Sequence, residues 1–214
     1  MKDKSAERIP AGERRESILA AASLVFGERG YFGATTDQIA RAAGISQPYV
    51  VRMFGSKENL FLEVLDRALD KLTEAFRSVL AEGLRTDEPD DDLHVRMGFA
   101  YVNLIEDRGI LLSLMQAFSM GGDPVIGRKA REGFLTIYRL LRDEAGFDAD
   151  RIRDFLAHGM LLNTVLALRM PDEYLTDDAA RELLQSTFGT KLQMVLDLAA
   201  LEAAGEPRAV GAQA

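Results

Sequence analysis

The residues best placed to do chemistry in this chain lie between Thr35 and Lys57, and their chemistry is recognition, not catalysis. Apolar or small side chains recur at Ile39, Ala40, Ala43, Ile45, Val50 and Met53, with a lone glycine at Gly44. Two short helices crossing steeply around a tight turn need that spacing. Ala40 marks the point where the second helix comes nearest, so a larger side chain there would drive the pair apart. Gly44 falls where the first helix ends and a positive φ is expected, a conformation glycine reaches without steric cost. Ser46 is expected to cap the second helix. Pro48 lies in that helix's first turn, where a missing N–H costs nothing. The pattern predicts a helix-turn-helix, the unit that lays its second helix in the major groove of DNA.

Other chemistries find little support. The two histidines, His94 and His158, are far apart in sequence, and the absence of cysteine excludes a thiol nucleophile, a disulfide or a thiolate metal site. There is no Gly-x-Ser-x-Gly elbow, no phosphate-cradling glycine loop and no zinc-ligand spacing. No catalytic residue, metal or cofactor is therefore expected. The acidic cluster Asp87, Glu88, Asp90, Asp91 and Asp92 lacks the alternating ligands and central glycine of a calcium loop. It reads as a solvated linker whose negative charge favours the start of the next helix.

Charge is distributed unevenly. The chain carries a net −8 over 214 residues, but residues 1–57 hold nine Lys/Arg against six acids, whereas residues 58–214 hold 17 against 28. The first part is thus +3 and the second −11. Attraction to phosphate is local and is screened beyond about 10 Å, so a basic head on an acidic body suits a DNA reader joined to a domain with another task. The first residues (Lys2, Asp3, Lys4, Glu7, Arg8) show no signal-peptide core, and no apolar run approaches the roughly 20 residues that span a bilayer. A cytoplasmic protein without a membrane partner is expected.

Periodicity places these residues on an all-α fold of about nine helices. A flexible basic arm is expected over 1–12, the helix-turn-helix domain over 13–57, a ligand-binding and dimerisation domain over 58–204, and a flexible tail over 205–214. The first helix is expected near 13–29, burying Ile18, Ala21, Ala22, Val25 and Phe26 until Gly30 stops it. A long helix follows the reading head near 56–82, and others near 92–106, 109–120, 124–145, 149–169 and 176–203. Asp123 is expected to cap the helix that Pro124 opens.

Residues 13–65 resemble the N-terminal domain of TetR-family transcriptional regulators. The resemblance rests on Ile18, Ala21-Ala22, Phe26 and Gly30-Tyr31, then Thr35, Ile39-Ala40 and Ala43-Gly44-Ile45-Ser46, and finally Phe54-Gly55-Ser56-Lys57-Glu58 with Leu60-Phe61. It covers about a quarter of the chain, and it implies a homodimeric repressor that binds a palindromic operator and leaves it when a small apolar effector binds. It further implies that Thr35, beside Thr36, caps the first reading helix and touches phosphate. Lys57 would open the long helix near the DNA backbone. Gln47, Pro48 and Tyr49 would meet base edges, glutamine being able to pair bidentately with adenine. Where the family usually has a phosphate-touching tyrosine, this chain has Val51, so Tyr49 is a candidate to supply the hydroxyl and Arg52 the charge.

The remainder carries softer signals. Met97, Tyr101, Leu104, Met115, Phe118, Phe134, Tyr138 and Phe155 form an adaptable apolar set, with His158 and Asn163 as candidate polar anchors of a ligand pocket. Core packing is the alternative use of the same residues, in which case a protein partner or abundance would control the regulator. Gly159 and Leu166 lie on a helix apolar nearly all round. Leu184, Phe188, Leu192 and Val195 follow at near-heptad spacing, which predicts a four-helix interface between two copies.

Overall fold

The computed structural model describes residues 10–83 and 91–203. The expected arm, the acidic residues Asp87, Glu88 and Asp90, and the tail over 205–214 lie outside the described residues, as do the side chains of Asp91 and Asp92. Among the described residues every regular element is helical. The order is α1 (Ala11–Gly33), α2 (Thr36–Ala42), α3 (Gln47–Phe54), α4 (Lys57–Ala81), α5 (Asp91–Asn103), α6 (Arg108–Ser119), α7 (Ile126–Arg139), α8 (Ala149–Ala167), α9 (Asp178–Phe188) and α10 (Leu192–Ala203). None of these helices is long and apolar enough to cross a membrane.

Two expectations about helix ends need adjusting. Gly30, at φ 69° and ψ 168°, does break α1, but one further turn follows before the chain leaves at Ala34. The single helix expected over 176–203 is two helices, separated at Gly189 (φ 50°, ψ −125°) by a 3₁₀ turn, Gly189–Lys191. The cap at Asp123 forms as expected: its Oδ1 accepts from the N–H groups of Val125 (2.9 Å) and Ile126 (2.8 Å).

The chain divides into two compact units, Met1–Lys71 with Asp107–Leu135, and Leu72–Glu106 with Thr136–Ala214. In the first, Ile18, Ala22 and Phe26 of α1 share a core with Ile39 and Ala40 of α2, Val50 and Phe54 of α3, and Leu60, Phe61 and Val64 of α4. Helix α6 lies against α1 so closely that a Cβ on Gly109 would sit 2.4 Å from the backbone carbon of Ser23, a distance no side chain tolerates. At the same crossing the buried Ser113 hydroxyl donates to the Ser23 carbonyl at 3.3 Å. An ion cluster closes this unit. The largely buried Arg67 of α4 donates to Glu16 of α1 (2.6 Å) and to Asp107 (2.9 Å), which also accepts from Lys71 (3.0 Å).

The second unit is organised around aromatic rings. Phe76 of α4 meets Phe155 of α8 edge-on at 5.6 Å and Tyr101 of α5 at 6.4 Å, while His94 packs on Phe147 and Phe155. Helices α9 and α10 bring Leu184, Phe188 and Val195 into the interior, where they are at most 3 % exposed. These three were expected at an interface between copies, but a single chain already buries them, and the break at Gly189 removes the continuous helix their spacing implied. Leu166 and Leu192 are half-buried, and Gly159 packs beneath the Tyr101 ring.

Candidate nucleic-acid interface

The turn between α2 and α3 is set by backbone geometry. Gly44 has φ +65°; the N–H of Ile45 donates to the Ala40 carbonyl (2.9 Å) and that of Gly44 to the Arg41 carbonyl (3.1 Å). This six-to-one and five-to-two pairing ends α2 and sends the chain directly into α3. A Cβ at Gly44 would find open space, so glycine is required there for its dihedral angle alone. Ala40 is 1 % exposed at the crossing.

The start of α2 is held by a capping box. Thr35 Oγ1 accepts from the Gln38 N–H (3.2 Å), and Gln38 Oε1 accepts from the Thr35 N–H (3.0 Å). The cap uses the hydroxyl as an acceptor and leaves its O–H available to donate. Thr36, next along, accepts from Gln47 Nε2 at 3.2 Å, a bond that ties the first turn of α2 to the first turn of α3. Gln47 therefore starts the second helix with its amide already oriented. Ser46 is the N-cap residue of α3, but its side chain makes no capping bond; the expected cap is replaced by backbone bonding from Tyr49 N–H to the Ser46 carbonyl (3.0 Å).

Along α3, Val50 and Phe54 turn inward at 1 % and 5 % exposure, and Tyr49 and Met53 pack partly against the same core. Pro48, Val51 and Arg52 are exposed and Gln47 is half-buried. The Arg52 guanidinium lies 5.0 Å from the Tyr49 ring centroid, a cation–π contact. Tyr49 thus has a packing role in addition to any contact its hydroxyl makes.

Lys57 is more deeply engaged than its alignment implies. Its Nζ donates to the carbonyls of Tyr31 (2.9 Å) and Ala34 (3.2 Å), and it lies 4.6 Å from the Tyr31 ring centroid. Tyr31 in turn packs on Phe61 at 5.1 Å, and Phe61 on Phe26 at 4.8 Å. Lys57 is a strut between the start of α4 and the turn that leads into α2. Arg15 has a comparable part that its sequence did not signal: it pairs with Glu63 and lies 4.8 Å from the Phe54 ring centroid.

The ten residues expected to line a pocket do not form one group. Met115, Phe118 and Phe134 belong to the first unit, where Phe118 and Phe134 meet edge-on at 5.7 Å. Met97, Leu104, Tyr101, Tyr138, Phe155, His158 and Asn163 belong to the second. There the Tyr101 hydroxyl donates to Asn163 Oδ1 at 2.9 Å, and Asn163 is 2 % exposed. Burial pushes the Tyr101 phenol up to about 12. His158 is exposed on α8 and is no anchor for a buried group; the histidine set among aromatic rings is His94.

Residues 18–64 match the family model for bacterial regulatory proteins of the tetR family. The head is 47 % identical over 73 residues to the HTH-type transcriptional activator FasR of Mycolicibacterium smegmatis, covering 34 % of this chain and 33 % of that one. It is 39 % identical over 71 residues to the HTH-type transcriptional repressor KstR2 of Rhodococcus jostii, covering 33 % of this chain and 35 % of the relative. The matched stretch thus spans about a third of the length of these relatives. A crystal structure of a TetR-like transcriptional regulator from Rhodococcus sp. RHA1 superposes with a TM-score of 0.59 at 22 % identity, covering 93 % of this chain and all of that one, and so shares the fold. Residues 18–64 are thus a helix-turn-helix head of the tetR-family type, and the chain shares its helical fold nearly end to end with a TetR-like regulator.

Proposed function

We propose that this protein is a sequence-specific DNA-binding transcriptional regulator, acting as a homodimeric repressor that a small, largely apolar ligand releases from a palindromic operator. The observation that carries the reading is the presentation of α3. Its apolar side holds the helix in the core of the first unit, leaving Gln47, Pro48, Val51 and Arg52 for the major groove. Thr35, Thr36 and Lys57 stand at the neighbouring helix starts, where phosphates bind. One such head makes few base contacts, so useful affinity calls for two heads on half-sites about 34 Å apart.

The ligand is assigned to the second unit, beside Tyr101 and Asn163, with the Phe76 and Phe155 rings supplying apolar surface. The −11 balance of residues 58–214 disfavours anions and supports an uncharged or cationic effector. Helix α4 runs unbroken from Lys57 to Ala81 and contributes residues to both units, which gives a ligand-driven tilt a continuous element to act through. To shift DNA occupancy, the ligand must favour the released state by a coupling of about 1–3 kcal/mol. Among the relatives, FasR is named an activator and KstR2 a repressor, so the sign of regulation is read separately, from a reporter gene. Selection of bound fragments from random DNA, repeated with and without a metabolite extract, tests the proposal. Failure to enrich any sequence overturns DNA reading. Enrichment that no extract alters favours control by a protein partner or by abundance.

A further inference from the structure

We infer that Val51 is a specificity-determining residue whose side chain meets the 5-methyl group of a thymine in each half-site. The inference rests on the reading of α3 as the helix that enters the major groove, and it concerns the one exposed side chain on that helix which is apolar, branched and without a hydrogen-bonding group. Val50 and Phe54 hold α3 to the core at 1 % and 5 % exposure, yet Val51 is 39 % exposed. Three residues before it, Pro48 is exposed as well. Residues three apart lie on one side of a helix, so Pro48 and Val51 form a small apolar patch between the amide of Gln47 and the guanidinium of Arg52.

The chemistry of the groove leaves such a patch one complement. Guanine and cytosine present only donors and acceptors there, and adenine likewise; thymine alone adds a methyl group. A valine cannot donate to a phosphate oxygen or pair with a base edge, so the contact usual for a tyrosine at this position is closed to it. Its stiffness favours the role, since a β-branched residue in a helix holds one dominant χ1 rotamer and loses little freedom when it is covered. Tyr49 does not compete for the same space: its ring packs partly against the core and holds the Arg52 guanidinium 5.0 Å from its centroid. Gln47, oriented by Thr36, is left to read an adenine nearby.

The test uses the full chain and the DNA fragment it enriches from a random pool. Each thymine is replaced in turn by deoxyuridine, which removes the methyl group and keeps every donor and acceptor. Binding is compared for the unaltered protein, Val51→Ala and Val51→Ile. Burying one methyl-sized group corresponds to about a fourfold change in affinity. The unaltered protein should therefore lose about fourfold at one thymine per half-site and about fifteenfold when both are replaced. Val51→Ala should bind the thymine and deoxyuridine fragments alike, while Val51→Ile should keep the discrimination. Because the side chain is exposed, helix content by circular dichroism should match in all three proteins. A fragment insensitive to deoxyuridine everywhere, or one whose sensitivity survives Val51→Ala, overturns the assignment while leaving DNA reading intact. A protein that enriches no fragment at all overturns both.

Discussion

Replacing Lys57 with alanine separates two roles that one cation could play. The Nζ donates to the Tyr31 and Ala34 carbonyls at 2.9 and 3.2 Å and stands 4.6 Å from the Tyr31 ring centroid. At this half-exposed site each of the two hydrogen bonds to the charged group contributes about 1.5 kcal/mol, and the cation–π contact about 0.5–1. Against these stand about 2 kcal/mol of lysine rotamer freedom lost in the fold. The net effect is a stabilisation of about 2 kcal/mol, increased on truncation because Ala34, 1 % exposed, is left with a carbonyl deprived of its donor. Lys57→Ala should thus lower unfolding free energy by about 2–3 kcal/mol in urea melts followed by circular dichroism. Two of its three N–H groups are engaged within the chain, leaving one for phosphate. Loss of that contact would reduce the slope of log affinity against log salt by about 0.9 per subunit, equally on specific and random DNA. Wild-type stability combined with a shallower salt slope would refute the strut and leave Lys57 as a phosphate ligand alone.

Four further outcomes are expected. Thr36→Val keeps the side-chain shape but removes the acceptor for Gln47 Nε2, so a double-mutant cycle with Gln47→Ala on the enriched DNA should show coupling of about 0.5–1.5 kcal/mol; simple additivity would mean that Thr36 does not orient the amide. Gly109→Ala forces a methyl group into the Ser23 backbone at 2.4 Å and should cost about 3 kcal/mol or more in thermal or urea unfolding, a near-neutral result showing that α1 and α6 separate readily. Tyr101, with its folded pKa of about 12 above the ordinary 10, favours the neutral phenol in the fold; its stabilising contribution is complete below pH 10 and lost as pH rises through 12, about 3 kcal/mol in all, and phenolate absorbance should show two of the five tyrosines titrating late, Tyr101 and Tyr31, which burial also raises, with Tyr101→Phe removing one of the two components. Leu161→Asp with Leu168→Asp on the exposed side of α8 should give a folded monomer by light scattering, whereas Phe188→Asp should unfold the chain; an intact dimer from the α8 double variant would move the interface elsewhere.

The helix-turn-helix was legible because several independent constraints fall within about twenty residues. A helix must end at Gly44, another must approach at Ala40, and Pro48 can stand only in a first turn. The capping aspartate Asp123 was legible for the same reason, as its partners Val125 and Ile126 follow it directly in the chain. Partners distant in sequence were not. Nothing near Lys57 announces that its ammonium reaches carbonyls more than twenty residues away, and nothing near Arg15 announces Glu63 or Phe54. From the sequence Lys57 reads as a phosphate ligand and Arg15 as unassigned positive charge, and charge alone does not distinguish a strut from a phosphate ligand. The two histidines make the same point. Each lies on a helix with apolar neighbours, and only the packing of α5 and α8 determines that His94 meets rings and His158 meets solvent.

The interface expected from the heptad spacing has a physical lesson of its own. Leu184, Phe188, Leu192 and Val195 have the spacing of a helix seam, and such a seam serves a partner chain and the same chain's core equally well. A lone glycine inside the pattern is weak evidence for a break, because helices tolerate glycine at a cost of about 1 kcal/mol. At Gly189 the backbone does turn, and the turn swings Leu184 and Phe188 on one helix, and Val195 on the next, into the interior. What a second copy can still reach is the side of α8 that the core leaves uncovered. Leu161 is 39 % exposed and Leu168 64 %, seven residues apart, with Thr164 exposed between them. Seven residues make two helical turns, so these side chains form a single stripe. An exposed apolar stripe gains most by meeting its own copy across a two-fold axis, because one patch then supplies both surfaces. The dimer proposed here thus rests on the exposed side of α8, against whose other side α9 packs, with the half-buried Leu166 at the margin of the stripe.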